Sequence, residues 1–461
     1  MTTRDLLVIG SGPAGQRAAI QAAKLGRRVT VVEQAEVGGT STNTGTVPSK
    51  TLRAAILELA DPRRSRPVTL QDLAWRTTQV VETERGVIHD QLRRNHVELI
   101  AGRAAFVDPA TIEVVSGDQT RRMSAERFVI AVGSVPARPA GVDFDGVAVI
   151  DSDGLPSLRR LPRTLTVVGA GVIGLEYASM AAALGTRVTV VDKRPRLLDF
   201  VDDEIAEALQ YHLRGLGVTF RLREEVEGVE RVADDWTVTS LRSGKQIPSE
   251  VVLYAAGRQG ATSGLNLAAA GLEADARGRL TVDDRFRTAQ PHIHAAGDVI
   301  GFPSLAATSM EQGRLAALAA FGLPARAVPE LLPYGIYTIP ELSYVGRTER
   351  ELTADAVPYV AGIARYRELS RGAIAGDRSG LLKLLVHARD RRVLGVHAFG
   401  ASATELIHIG QTVMAGDLSV DYLVDAVFNV PTFADAYKVA ALDAANRLDE
   451  LPSPHLLEMS A

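Results

Sequence analysis

Two glycine clusters stand where a chain could hold a phosphorylated nucleotide. Gly10-Ser11-Gly12-Pro13-Ala14-Gly15 follows a short apolar run, Asp5 to Ile9, and precedes an alanine-rich stretch, Gln16 to Leu25, that Gly26 ends. Gly10 permits a tight turn out of a strand. Gly12 lets the backbone approach a pyrophosphate, and Gly15 lets a helix pack closely on the strand. Pro13 and Ala14 complete the turn and count among the cofactor-binding residues; the phosphates sit at the N-terminus of the following helix, where free N–H groups and the positive dipole end lie. Glu33 follows Gly15 by 18 residues, at the end of the next strand, where an acid accepts from ribose hydroxyls. The pattern returns at Gly169-Ala170-Gly171-Val172-Ile173-Gly174, and Asp192 again lies 18 residues on. A lone GxGxxG is a weak signal; one set between strand and helix with the acid in register is strong. Two such turns imply two dinucleotides. Hydride chemistry needs a donor and an acceptor, so the economical pair is one tightly held flavin and one exchanging nicotinamide.

The elements that must position these residues are legible around them. Arg28 to Val32 reads as the second strand of the first βαβ unit. Thr164 to Val168, a helix to about Leu184, and Arg187 to Val191 make the second unit. Between them lie a charged helical stretch at about 62–100, short strands near Ala104 to Val115, and Arg127 to Pro139, a buried strand followed by a turn. Arg63 to Pro67 is a small basic loop. Val251 to Arg258 holds a further strand, and His294 to Val299 reads as another that ends at a loop. From about Leu331 the texture changes: alternating strands at Gly380 to His387 and Val393 to Phe399 mix with a helical Ala401 to Ala415. The fold class that follows is α/β, with two Rossmann-like dinucleotide-binding domains and a C-terminal α+β domain.

Composition narrows the chemistry. The chain has 461 residues, about three domains' worth. Its net charge of −4 lacks the basic excess of a nucleic-acid binder, so no nucleic-acid partner is expected. It contains no cysteine. That excludes a disulfide scaffold, a thiolate zinc site, an iron–sulfur cluster and any redox dithiol. His292 and His294 are two apart, but no acidic or thiol partners accompany them, so no metal site is expected. Neither a secretory leader nor an apolar run of about 18 residues is visible, which makes a soluble, cytoplasmic protein the expectation.

The segment from Gly38 to Lys50, GGTSTNTGTVPSK, resembles the active-site motif of the flavoprotein disulfide oxidoreductases, the family of glutathione reductase and dihydrolipoamide dehydrogenase. The resemblance runs in matching order through nearly the whole chain. It departs where that chemistry resides. The two redox cysteines fall on Ser41 and Thr46, and the histidine of the C-terminal dyad falls on Val430, with Asp435 in place of its glutamate. Disulfide reduction by the family mechanism is therefore excluded. The chain is similar instead to the branch that works without the dithiol, the soluble pyridine nucleotide transhydrogenases. The similarity rests on Thr46 before VPSK, on Gly257-Arg258-Gln259-Gly260 with Thr262 and Leu265, and on Asp298-Val299-Ile300-Gly301 with Pro303 to Ala306. Tyr334 to Glu341, His408 to Gln411, Phe428-Asn429 with Pro431-Thr432, and Val439 to Leu442 extend it. That branch usually keeps a Cys at the position of Ser41 and an aromatic at that of Thr44.

The resemblance implies an FAD-binding domain in two parts, 1–150 and 276–330, an NAD(P)-binding domain at 151–275 and a dimerisation domain at 331–461, with a homodimer as the assembly. It implies hydride transfer between NADPH and NAD+ through flavin N5, with NAD(H) and NADP(H) as exchanging co-substrates. Lys50 takes the place of the family lysine beside the flavin and Glu176 that of its carboxylate partner; on residue type alone they read as a surface lysine and a core-edge glutamate. Gly39, Thr40, Thr46, Gly133, Ser134, Gly297 and Asp298 join the first turn as cofactor-binding residues, Asp298 toward the ribityl chain. Lys193, Arg194, Gly257 and Arg258 join the second. Asp192 favours NAD(H), because a 2′-phosphate about 4 Å away would meet like charge at a cost of about 4 kcal/mol. Lys193, Arg194 and Arg196 either grip that phosphate or form a solvated basic loop. Other readings are an NADH-preferring quinone or small-acceptor oxidoreductase and, further off, a non-catalytic flavin redox sensor.

Overall fold

Leu6–Ile9, with every side chain buried, is the middle strand of a five-stranded sheet. The order across it is Ile293–Ala295, Phe128–Ile130, Leu6–Ile9, Val29–Glu33 and Glu98–Ala101, and each pairing is parallel. Strands covered on both faces carry apolar runs rather than alternation, as LLVI does; VTVVE is likewise buried throughout, with only Thr30 and the terminal Glu33 polar. The computed structural model describes residues 4–59, 69–154, 160–233, 236–325 and 329–450; the basic loop Arg63 to Pro67 lies outside them. The chain divides into two compact units, each assembled from two stretches: residues 1–161 with 253–329, and 162–252 with 330–461.

In the first unit the helix after the first turn is Pro13–Lys24, starting three residues before the expected Gln16. Proline has its φ preset for a first helical turn and lacks only an N–H that has no helical partner there. Ala18, Ala19 and Ala22 bury one face of this helix in a core with Leu6, Val8 and Val31. The helix Ala306–Ala320 packs across it so closely that a Cβ on Gly313 would lie 2.0 Å from the Ala14 carbonyl oxygen. The charged stretch forms the helix Leu70–Arg94, opened by a capping box between Thr69 and Asp72. Arg103–Asp108, Thr111–Ser116 and Gln119–Ser124 form an antiparallel sheet. The strand expected over His294 to Val299 stops at Ala295, and a 3-10 turn takes over at Asp298–Ile300. Gly297, at φ +84°, turns the chain there.

In the second unit Thr164–Val168, Arg187–Asp192 and Thr219–Leu222 run parallel, with the helix Val172–Ala183 after the first of them. Val226–Ala233, Trp236–Leu241 and Gln246–Ser249 make an antiparallel sheet. The C-terminal stretch is a five-stranded antiparallel sheet, ordered Tyr334–Ile336, Leu342–Gly346, Val393–Phe399, Leu381–His387 and Tyr359–Arg365. The helices Ala403–Ala415 and Ala436–Asp449 share a core with this sheet that includes Leu384, Val396 and Tyr437. Lys383, in the middle of a central strand, has a side chain only 2% exposed. Its Nζ lies 2.8 Å from Asp202 and 3.2 Å from Glu204, and it pairs with Glu349 as well. Three carboxylates compensate one cation that has left water. Burial opposes its charge, but the hydrogen bonds it donates to Asp202 and Glu349 outweigh that and hold its pKa above the ordinary lysine value. Among the described residues no helix is long and apolar enough to cross a membrane.

The architecture is α/β: two Rossmann-like sheets and a C-terminal α+β domain.

Candidate dinucleotide sites

The first turn has the shape its glycines require. Gly10 sits at φ +99°, and a Cβ there would lie 2.5 Å from the Ala131 carbonyl oxygen. A Cβ on Gly15 would lie 1.9 Å from the Gly10 oxygen. Gly12 is different: among the described residues nothing lies within 4 Å of where its Cβ would point, and no side chain caps the helix it begins. A tight turn, a close helix and an open, uncapped N-terminus together fit a dinucleotide pyrophosphate. Glu33 is buried at the strand end, where its Oε2 accepts from the amide and hydroxyl of Ser11 at 2.8 and 2.7 Å and its Oε1 from the Ala35 amide at 3.0 Å. Gly39 folds back on this turn, since its Cβ would lie 3.0 Å from Gly12 Cα. Ser11, which steadies Glu33 and receives a further bond from the Gly38 amide, occupies a variable position of the motif and gave no sign of this role.

A polar network stands at the same edge of that sheet, beyond the C-terminal ends of the parallel strands Phe128–Ile130 and Ile293–Ala295. Ser134 donates its hydroxyl proton to Asp298 at 2.8 Å. Arg258 donates Nε to the Ser134 hydroxyl at 2.9 Å and Nη2 to its carbonyl at 2.7 Å, and its Nη1 reaches Asp153 at 3.4 Å. Arg258–Gly260 pairs with Ser134–Pro136 as a two-stranded ribbon, which explains how residues 124 apart meet. The structure thus brings Arg258 to Ser134 and Asp298. Gly133 precedes this serine, and Gly297 precedes Asp298 with its amide held by Gln312 at 2.9 Å. Gly257 turns the chain into the ribbon at φ +128°. Thr40 reaches the Ser134 carbonyl at 3.5 Å. Thr46 is exposed at the first position of the helix Thr46–Leu59, and Lys50, half-buried one turn along, has its Nζ 3.3 Å from the Ser49 hydroxyl.

The second turn repeats the geometry of the first. Gly169 lies at φ +111°, a Cβ on Gly174 would lie 2.0 Å from the Gly169 oxygen, and among the described residues no side chain caps the helix that Val172 and Ile173 open. Asp192 is 7% exposed and fully engaged. Its Oδ2 accepts from the Ala170 amide at 2.6 Å and Arg194 Nη2 at 2.8 Å; its Oδ1 accepts from the Arg194 amide at 2.8 Å and Nε at 3.0 Å. Burial would raise this carboxyl's pKa, but the hydrogen bonds from Arg194 and the Ala170 amide prevail and hold it below the usual range. The sequence reading left the charge of Asp192 unopposed; in the structure the Arg194 guanidinium sits directly on it. Lys193 and Arg196 are exposed, Arg196 lying 3.4 Å from Asp203.

Glu176, on the helix after this turn, is 3% exposed and accepts the Tyr337 amide at 2.9 Å. One turn on, the Ser179 hydroxyl accepts the Ile339 amide at 3.0 Å and donates to the Glu176 carbonyl at 2.7 Å. Nothing in the sequence pattern singled out Ser179 or the amide at Tyr337. Glu176 belongs to the second unit and Lys50 to the first. Ser41 lies in the short helix Gly39–Asn43. Val430 is exposed, and Asp435 stands before the helix Ala436–Asp449. His292 contacts the Pro109 carbonyl at 2.8 Å. His294 is buried in the sheet, and among the described residues neither ring nitrogen has a hydrogen-bond partner.

Residues 4–313 match the family model for pyridine nucleotide-disulphide oxidoreductases, and residues 332–441 match that for the dimerisation domain of the same family. The chain is 57% identical to a soluble pyridine nucleotide transhydrogenase of Mycobacterium tuberculosis, over 98% of this chain and 99% of that one. It is 42% identical to a protein of the same name from Colwellia psychrerythraea, over 96% and 98%. Among solved structures it resembles the HOCl-induced flavoprotein disulfide reductase RclA of Escherichia coli, with TM-score 0.89 and 28% identity over 96% of this chain and 99% of that one. It also resembles LpdA of Mycobacterium tuberculosis, with TM-score 0.89 and 27% identity over the same shares.

Proposed function

The chain belongs to the pyridine nucleotide-disulphide oxidoreductase family, and from that footing we propose that it is an FAD-dependent soluble NAD(P)+ transhydrogenase, moving hydride between NADPH and NAD+. One observation carries the reading: the chain keeps two complete dinucleotide turns, each with a buried acid, yet contains no cysteine. It therefore has a place for a hydride donor and for a carrier, and no thiol to pass electrons onward. Relatives of this name at up to 57% identity support the same reading.

A bound FAD would supply the hydride-carrying chemistry between the two nicotinamides. The work of the chain is binding and orientation. The amide end of the helix at Gly12 receives the FAD pyrophosphate, Glu33 accepts from the adenosine ribose, and Asp298, steadied by Ser134, accepts from the ribityl chain. Gly39, Thr40, Thr46, Gly133 and Gly297 line the same cradle. Lys50 would supply a cation beside the flavin ring, where positive charge favours its taking up a hydride. Gly169, Gly171, Gly174, Val172, Ile173, Asp192, Lys193 and Arg194 receive NAD(H) or NADP(H), with Glu176 beside them. Functionally, 1–150 and 276–330 form the FAD domain, 151–275 the coenzyme domain and 331–461 the dimerisation domain through which two copies pair. The protein works in the cytoplasm.

The test is anaerobic reduction of the yellow holoprotein by NADPH or NADH, followed by thio-NAD+. Rapid thionicotinamide reduction with ping-pong kinetics is the expected result. A reduced flavin that a quinone reoxidises and thio-NAD+ does not would replace transhydrogenation by quinone reduction.

A further inference from the structure

An ionised carboxylate offers about four lone-pair positions. On Asp192 all of them are taken: by two backbone amides, Ala170 and Arg194, and by Nε and Nη2 of the Arg194 side chain. A ribose hydroxyl therefore finds no free acceptor there. The amides belong to the turn and the strand end and stay in place. The guanidinium does not have to. It is 36% exposed, it also lies 3.8 Å from the exposed Asp199, and its Nη2 lies 3.9 Å from where Gly171 would carry a Cβ, over the open glycine of the turn.

We propose that Arg194 sets coenzyme choice at this turn by competing with the ribose 2′- and 3′-hydroxyls for Asp192. The inference rests on the reading that the turn at 169–174 receives the exchanging coenzyme. For NAD(H), the two side-chain bonds must be given up before Asp192 can accept from the ribose, so Arg194 weakens binding. For NADP(H), the same side chain swings from one anion to another. Its planar fork suits a phosphate as well as a carboxylate, and it lies between Asp192 and the 2′-phosphate to screen their repulsion. Arg194 therefore acts with opposite sign on the two coenzymes. It penalises the one that its neighbour Asp192 favours and rewards the other, which narrows the preference in a protein that exchanges hydride between both. Lys193 is exposed and Arg196 lies by Asp203, so among the three cations of this loop only Arg194 is placed on the acid.

The experiment measures equilibrium binding by calorimetry on the FAD-loaded protein, with two fragments that carry no nicotinamide: 5′-AMP, with its free 2′-hydroxyl, and 2′,5′-ADP. Arg194→Met is expected to weaken 2′,5′-ADP by about tenfold or more and to tighten 5′-AMP by about two- to fivefold. Arg194→Lys retains a charge without the fork, and should lose less 2′,5′-ADP affinity than Arg194→Met while also tightening 5′-AMP. Flavin content and melting temperature report that each variant is folded. Two affinities that move in the same direction, or a 5′-AMP affinity that does not change, overturn the competition. If neither fragment binds the unaltered protein, the assignment of the coenzyme to this turn falls with it.

Discussion

Ser134 and Asp298, 164 residues apart, are joined by a 2.8 Å hydrogen bond in which the hydroxyl donates to the carboxylate, while Arg258 donates to the same hydroxyl. The serine relays the pull of the arginine to the acid and fixes where the carboxylate points. Ser134→Ala removes one donor from Asp298 and one acceptor from Arg258. A net hydrogen bond is worth about 1 kcal/mol, so FAD affinity in reconstitution of the apoprotein should fall about fivefold. Unchanged affinity would show that Asp298 needs no such guide.

Gly12 and Gly15 should fail in different ways when given a side chain. Around Gly12 there is open space and the backbone is extended, at φ −64° and ψ −177°. Gly12→Val should fold, melt near the parent apoprotein and stay colourless, because the valine fills the place of the pyrophosphate. Gly15→Ala drives a methyl to 1.9 Å from the Gly10 oxygen. That backbone cannot yield cheaply, and the loss should be about 3 kcal/mol or more, seen as poor soluble yield and a lowered melting temperature. A yellow Gly12→Val protein would move the phosphate site elsewhere.

Removing the buried cation of the second unit leaves its acids facing one another. Lys383→Met keeps the length of the side chain and strands Asp202, which is 1% exposed, among carboxylates. Breaking a buried pair from one side costs about 3–5 kcal/mol. Glu204 and Glu349, at 36% and 38% exposed, have access to water and temper this, so the lower figure is expected in chemical denaturation at neutral pH. Adding Asp202→Asn should recover a large part of it; a double variant as unstable as the single one would show that packing, not charge, is at stake.

His294 should tie stability to acidity. Burial pushes its pKa down to about 4, with Arg127 adding to the effect. The unfolded chain takes up that proton near pH 6.5. Between these values the unfolded state holds a proton that the folded state refuses, so stability is complete above about 6.5 and is lost as pH falls towards 4, by about 3 kcal/mol in all. His294→Leu should flatten that part of the melting-temperature profile. A slope equally steep in the variant would assign it to other groups.

The sites were legible where chemistry is written in consecutive residues. Six positions specify each glycine turn, and an acid at a fixed distance completes it; Glu33 and Asp192 both lie at the buried strand end the spacing demands. The surroundings of those acids were not legible. Arg194 is two residues from Asp192, yet a flexible arginine shows its direction only when its neighbours are in place. Arg258 reaches Ser134 through the register of a two-stranded ribbon, and Lys383 on its strand reaches Asp202, the N-cap of the helix Asp203–Gly215, across 181 residues. Element ends shifted for local reasons: Pro13 starts its helix early, and Gly297 stops a strand that the apolar residues alone would have continued to Val299.

The contact of Gly313 with Ala14 carries a temporal consequence. The helix that braces the first nucleotide turn leaves the ribosome roughly three hundred residues after the turn does. A nascent chain carrying the complete glycine motif still lacks one wall of its cradle, and with it the buried surface that holds the turn rigid. Capture of the prosthetic group is thus deferred until synthesis is about two-thirds done, by which time residues 162–252 of the other unit are already waiting for their own second half.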